Sequence, residues 1–182
     1  MMRENSSLLL VLLILCFASS NSISAEVVDV DIICKEASNQ SYCSNLLNSK
    51  PGGAKGVDLV DLAQYTIDVL NDNTSDTLNL IRSLIQSAEN STVANYYYHC
   101  DIDLLNHGDS VTSSLTDAQI SLYFIKYPAM AKDSADIMKY ILECIDSLHE
   151  DETSPLLAKY VENLQQGAQV FQIITKYLNL GI

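Results

Sequence analysis

Residues 58–89 read DLVDLAQYTIDVLNDNTSDTLNLIRSLIQSAE, with no proline and no glycine. Leu59, Leu62, Ala63, Thr66, Leu70, Thr77, Ile81, Leu84, Ile85 and Ala88 lie close to one stripe at helical spacing. Alternation of the kind a half-buried strand needs is absent. As one helix the stretch would be roughly 48 Å long at about 1.5 Å per residue. Only the polar patch NDNTSD, residues 71–76, interrupts the apolar side, and it is expected to kink or fray the helix there. A helix this long with one apolar face needs partners of similar length.

The sequence on the C-terminal side supplies them. From about Thr92 to Ile125, the positions Val93, Tyr97, Cys100, Leu104, Gly108, Val111, Leu115 and Leu122 trace a second inner side. KYPAM breaks the pattern at Pro128, because the residue before a proline disfavours helix. A third stretch runs to about Leu148 with Met130, Ser134, Ile137, Ile141, Cys144, Ile145 and Leu148 on one face. HEDETSP, residues 149–155, is the next turn, and Ser154-Pro155 has the form of a helix start. The last helix carries Leu157, Tyr160, Val161, Leu164, Ala168, Phe171, Ile174, Thr175 and Leu178 inward and stops near Gly181. Four long amphipathic segments with short connections predict an all-α, antiparallel four-helix bundle.

On the N-terminal side, NSKPGGAKG (residues 48–56) is a linker. Before it, Val30, Ile33, Cys34 and Ala37 fall at helical spacing, and so do Cys43, Leu46 and Leu47 with Tyr42 alongside. Helices this short are marginal in water, so a small helical hairpin there needs a covalent pin. Further upstream, the chain opens MMRENSSLLLVLLILCFASSNSISA: Arg3, an apolar run from Leu8 to Phe17, then a small polar stretch. That is the layout of a secretory signal peptide, too short to span a bilayer. The expected organisation is a signal peptide over 1–25, cut somewhere between Ser20 and Ala25, and one domain over 26–182.

Removing the signal takes Cys16 and leaves Cys34, Cys43, Cys100 and Cys144. An even number on an oxidising route reads as disulfides. Four cysteines allow three pairings; proximity favours Cys34–Cys43, which leaves Cys100–Cys144. Chain entropy gives roughly 2.7 kcal/mol for the short loop and about 4 kcal/mol for the long one. Zinc sites favour cysteines two to four residues apart, and a redox pair needs C-x-x-C. The spacing fits neither, and His99, His107 and His149 form no spaced ligand pair.

The formal charge of −13 opposes nucleic acid and anionic membranes and suits a basic protein partner. Asn39, Asn73 and Asn90 open three N-x-S/T sequons and are expected glycan positions. Catalytic motifs are lacking. His99 abuts Cys100, but adjacent helical residues point about 100° apart. Asp101 and Asp103 in CDIDLL would face apart on a helix, as a solvated face does. There is no phosphate loop, G-x-S-x-G or HExxH, so neither cofactor nor metal is expected. In YYYHC, residues 96–100, Tyr97 is expected in the core and one or two rings outside. A secreted, acidic helical bundle of this kind points to binding.

The assembled pattern resembles the plant invertase and pectin methylesterase inhibitor family. The resemblance rests on IICKEASNQSYC, DLVDLAQYTIDVL, YYYHCDIDLL, YPAMAKDSADIMKYILECID and VFQIITKYLNL, and on the four-cysteine frame. It implies a four-helix bundle with an N-terminal hairpin, the hairpin held by Cys34–Cys43 and the bundle by Cys100–Cys144. It also implies a non-enzymatic protein that binds a secreted carbohydrate enzyme one-to-one over its active-site cleft. Invertase inhibitors often carry Pro-Lys-Phe between the second and third bundle helices. The matching place here, Pro128-Ala129-Met130, is the expected target-contact loop; it keeps the proline but has neither cation nor ring. Pectin methylesterase is therefore the preferred target and invertase the alternative, beside a non-inhibitory structural or signalling role. The expected location is the apoplast or cell wall, or the vacuole if the target is a vacuolar invertase.

Overall fold

The computed structural model describes residues 29–105, 108–148 and 153–181 of the chain. The signal-peptide reading of 1–25, His107 and the acidic turn at 149–152 lie outside the described residues. Seven helices occur among those described: α1 (Val30–Lys35), α2 (Gln40–Asn48), α3 (Leu59–Ser87), α4 (Ser91–Leu105), α5 (Val111–Tyr123), α6 (Tyr127–Ser147) and α7 (Pro155–Leu180). The described residues contain no strand. None of these helices is long and apolar enough to cross a membrane.

The long helices form a square. α3 packs against α4 and α5 on one side and α7 on the other, and α6 closes the ring between α4/α5 and α7. α4 and α5 follow one another along α3 and α6, and α3, the α4–α5 pair, α6 and α7 run antiparallel in turn, as short connections require. The core is a continuous apolar cluster in which Leu62, Ile67, Leu70, Ile81, Leu115, Ile137, Ile141 and Phe171 are fully buried.

Three sequence expectations need correction in detail. The stretch from Thr92 to Ile125 is not one helix but two, α4 and α5, with Gly108 at φ +109 between them. Ser110 caps the second piece, in a reciprocal arrangement with Ser113. The apolar side stays in phase because Leu104 and Val111 are seven residues apart, two turns of helix. α3 runs unbroken through the polar patch 71–76: Thr74 and, just beyond the patch, Thr77 are buried, and their hydroxyls donate to the carbonyls of Leu70 and Asn73 at 2.7 Å. A threonine that bonds to the previous turn of its own helix satisfies its only strong donor and sits inside without a partner. Finally, Ser154 does cap α7 by position, but its side chain makes no cap bond; its backbone N–H donates to the Tyr97 hydroxyl at 2.9 Å.

The hairpin of α1 and α2 lies along α7. Cys34–Cys43 joins its two helices and Cys100–Cys144 joins α4 to α6. Ile33, Cys34, Ala37, Cys43 and Leu47 are buried beneath it. Around that apolar seam runs a polar rim. Ser38 donates twice to Gln169, Asn39 donates to Gln166, and the Tyr42 hydroxyl donates to the Asn163 carbonyl. Glu36 accepts from Lys176 and Tyr177, both at 2.7 Å. The linker after α2 turns on Gly52, Gly53 and Gly56, all with positive φ, while Ala54 tucks its methyl into the core.

Candidate functional site

Four helices that bury their apolar faces leave the ends and outer faces for function. The α5–α6 corner stands out. Tyr123 is 78% exposed, Ile125 65% and Phe124 59%, with Ile120 beside them on the last turn of α5. Tyr123 and Phe124 meet edge to face with centroids 5.0 Å apart, and the Lys126 ammonium lies 5.4 Å from the Phe124 ring centroid. An exposed ring pair braced by a cation is a preformed contact surface with few side-chain torsions left to freeze.

The backbone explains the shape of the corner. Lys126 N donates to the Ser121 carbonyl at 2.8 Å and Ile125 N to the Leu122 carbonyl at 3.0 Å. These are the two bonds of a Schellman stop, in which the residue at the position of Ile125 takes a left-handed conformation usually given to glycine. Ile125 occupies it at φ 56, the only described non-glycine with positive φ. A β-branched side chain there is strained, and its burial does not repay the strain, because it faces solvent.

Below the corner the surface turns acidic. Asp133 on α6 accepts from the Ser121 hydroxyl at 2.9 Å; burial raises its carboxyl above the ordinary range, and neighbouring Asp117 and Asp136 add to this. Further along α6, Glu143 faces Asp103 of α4, whose carboxyl is also raised, first by burial and then by Glu143.

The residues singled out from the sequence distribute unevenly. Pro128 and Ala129 are exposed, but they belong to the first turn of α6 and not to a loop. Met130 faces the core and is fully buried, so it is not a contact residue in the folded protein. The cation and ring missing from 128–130 occur a few residues earlier, as Lys126 and Phe124. Sequence reasoning missed the corner because LYFI reads as a plain apolar run; only Leu122 and Tyr123 are helical, Phe124 is the cap and Ile125 lies past the helix end, where periodicity no longer tells inside from outside. Cys100 is buried in its disulfide, leaving His99 exposed with no thiol to act on. Asp101 sits 3.8 Å from Arg82, a loose ion pair beyond hydrogen-bond reach. Tyr97 is core and Tyr98 is exposed. Among the described residues no group of three His, Cys, Asp or Glu is placed to hold a metal ion. Of the sequon asparagines, Asn39 caps α2, Asn73 lies mid-way along α3, and Asn90 sits in the α3–α4 turn.

The family profile described as plant invertase/pectin methylesterase inhibitor matches residues 29–180, nearly all of the described chain. The chain belongs to that family. Among curated relatives it is 36% identical to "Pectinesterase inhibitor 2" of Arabidopsis thaliana over 106 residues, 58% of either chain. It is 31% identical to "Pectinesterase inhibitor" of Actinidia deliciosa over 108 residues, 59% of this chain and 56% of that one. Both matches span less than two thirds of the relative. Among solved structures, a mutant form of a pectin methylesterase inhibitor from Arabidopsis superposes with a TM-score of 0.71 at 19% identity, over 81% of this chain and 95% of that one. A second structure, of a pectin methylesterase inhibitor from Arabidopsis thaliana, superposes at 0.61 and the same identity, over 82% and 95%. At that identity the structural likeness speaks for the inhibitor-family fold.

Proposed function

We propose that the chain is a non-enzymatic, secreted inhibitor of a plant pectin methylesterase, acting outside the cell by one-to-one binding over the enzyme's cleft. The observation that carries this is the 36% identity to an Arabidopsis pectinesterase inhibitor within a family of inhibitors. The physical chemistry is consistent with it. A bundle cross-linked by Cys100–Cys144 and carrying a hairpin pinned by Cys34–Cys43 offers a rigid surface, which lowers the ordering cost of binding. The α5–α6 corner supplies aromatic anchors of the kind that dominate interface energetics. The charge of −13 steers a basic enzyme inward and repels polyanionic nucleic acid and anionic membranes.

One observation favours invertase as a second reading. Phe124 and Lys126 place a ring and a cation at the corner after all, at the turn that precedes Pro128. The test is a titration of the oxidised protein against a plant pectin methylesterase and an acid invertase at mildly acidic pH. Inhibition of the methylesterase that saturates at one equivalent and weakens with added salt is expected. Inhibition of invertase alone would replace the first reading with the second. Inactivity against a panel of both enzymes would point to a structural or signalling role.

A further inference from the structure

We propose that Asn90 is the glycan-bearing residue of this chain and that Asn39 and Asn73 remain bare. The inference rests on the secretory reading of residues 1–25 and not on which enzyme is the target. In the transfer, Asn90 Nδ2 loses a proton and forms a bond to the anomeric carbon of a lipid-pyrophosphate-linked oligosaccharide. The bond from that carbon to the pyrophosphate oxygen breaks, and the lipid pyrophosphate leaves. The reaction needs the asparagine amide and the hydroxyl two residues later on the same side of the chain, and it needs room at Nδ2.

The three sequons differ on both counts. Asn90 is exposed in the turn between α3 and α4, and its Oδ1 accepts from the Thr92 N–H at 2.8 Å. That bond folds the side-chain amide over the third residue of its own sequon. It leaves Nδ2 without a hydrogen bond to the described residues. Asn73 and Ser75 lie within the 29 residues of α3. Residues two apart on a helix point about 200° apart, so the hydroxyl of Ser75 faces away from the Asn73 amide, which is itself half-buried. Asn39 is exposed, but both ends of its amide are engaged. Oδ1 accepts from Tyr42 N three residues on, not from Ser41, and Nδ2 donates to Gln166 on α7 at 3.0 Å. A sugar on that nitrogen would stand between the hairpin and α7. Asn39 is also enclosed by the nine-residue separation of Cys34–Cys43, which pins the sequon as soon as the bond forms.

The position fits the proposed function as well. The α3–α4 turn and the α5–α6 corner lie at opposite ends of the bundle, about 30 Å apart at the rise of a helix as long as α6. A glycan on Asn90 would shield one end and leave the other free.

The experiment is glycopeptide mass spectrometry on the protein secreted by plant cells. Recovery from the medium with a new N-terminus near residue 26 reads the secretory step separately. Occupancy at Asn90 at least ten-fold above that at Asn39 and Asn73 is expected. Asn90→Gln and Thr92→Ala should abolish the glycan-dependent gel shift, Thr92→Ser should keep it, and Asn39→Gln and Asn73→Gln should leave it unchanged. A secreted protein that is bare at Asn90, or equally occupied at Asn39 or Asn73, overturns the proposal.

Discussion

Ile125 is the residue whose place is hardest to explain by folding alone. A left-handed conformation costs a residue with a Cβ roughly 1–2 kcal/mol, and the side chain recovers little of it from solvent. Glycine would remove the strain at a chain-entropy cost of about 0.5–1 kcal/mol. Ile125→Gly should therefore raise stability by about 0.5 kcal/mol, read as a higher urea midpoint. If the corner meets the target, the same substitution should weaken inhibition at least five-fold, because an exposed apolar anchor is gone. A variant that is more stable and equally inhibitory would show that the corner takes no part in binding. The left-handed position could not be read from the sequence. Periodicity distinguishes inside from outside on a regular helix; it says nothing about the residue that ends one, and an isoleucine there carries none of the usual signal of glycine or asparagine.

At the scale of the elements, the sequence was legible wherever a stripe ran unbroken. α3, α6 and α7 begin and end within a few residues of where their patterns and caps place them. The hairpin was legible too, from two short apolar stripes and two cysteines. The break between α4 and α5 was hidden because the seven-residue step from Leu104 to Val111 preserves phase. Thr74 was misread as part of a frayed patch because its polarity is satisfied within its own helix. Gly167 was not singled out, although it governs how closely α7 approaches α3. A Cβ at that position would lie 3.0 Å from Leu70 Cδ2 and 3.4 Å from the Tyr42 hydroxyl. Leu70 is fully buried, and Tyr42 is held by the Asn163 carbonyl, so neither has room to yield. Alanine would gain about 1 kcal/mol of helix propensity and lose about 1–3 kcal/mol to overpacking. Gly167→Ala is expected to be destabilising by about 1 kcal/mol, and chemical denaturation would measure it. A stabilised variant would mean that α7 and the hairpin shift apart more easily than the packing indicates.

For the whole molecule, pH is the lever the carboxylates provide. Glu36 is held below its ordinary value of 4.5 by its hydrogen bonds to Lys176 and Tyr177. A depressed carboxylate contributes stability above its unfolded value, and that contribution is lost as pH falls through the lower folded value. Asp103 and Asp133 are raised above 3.8, chiefly by burial. Their ionisation opposes folding at neutral pH, and the opposition fades as pH falls toward 3.8. The melting temperature at pH 5 should therefore equal or exceed that at pH 7, then drop as pH falls below 4.5 and through the lower folded value of Glu36, where the hairpin loses its contacts. Glu36→Gln should flatten the acid limb, and Asp103→Asn with Asp133→Asn should flatten the gain. A monotonic rise in stability from pH 4 to 7 in the unmodified protein would contradict this account.

Cys100–Cys144 spans 44 positions, and those positions include all of α5, the corner and most of α6. A protease that cuts after exposed Lys126 would open the peptide backbone at the corner and still leave one covalent molecule. The linker has no such protection. Cys34–Cys43 closes only on itself, so a cut after exposed Lys55 would free the hairpin except for its non-covalent seam on α7. Limited trypsin digestion should show the difference. Clipping at Lys126 should appear only on a reducing gel, while clipping at Lys55 should shorten the chain on both. The protein would thus survive a clip at Lys126 as a two-chain molecule.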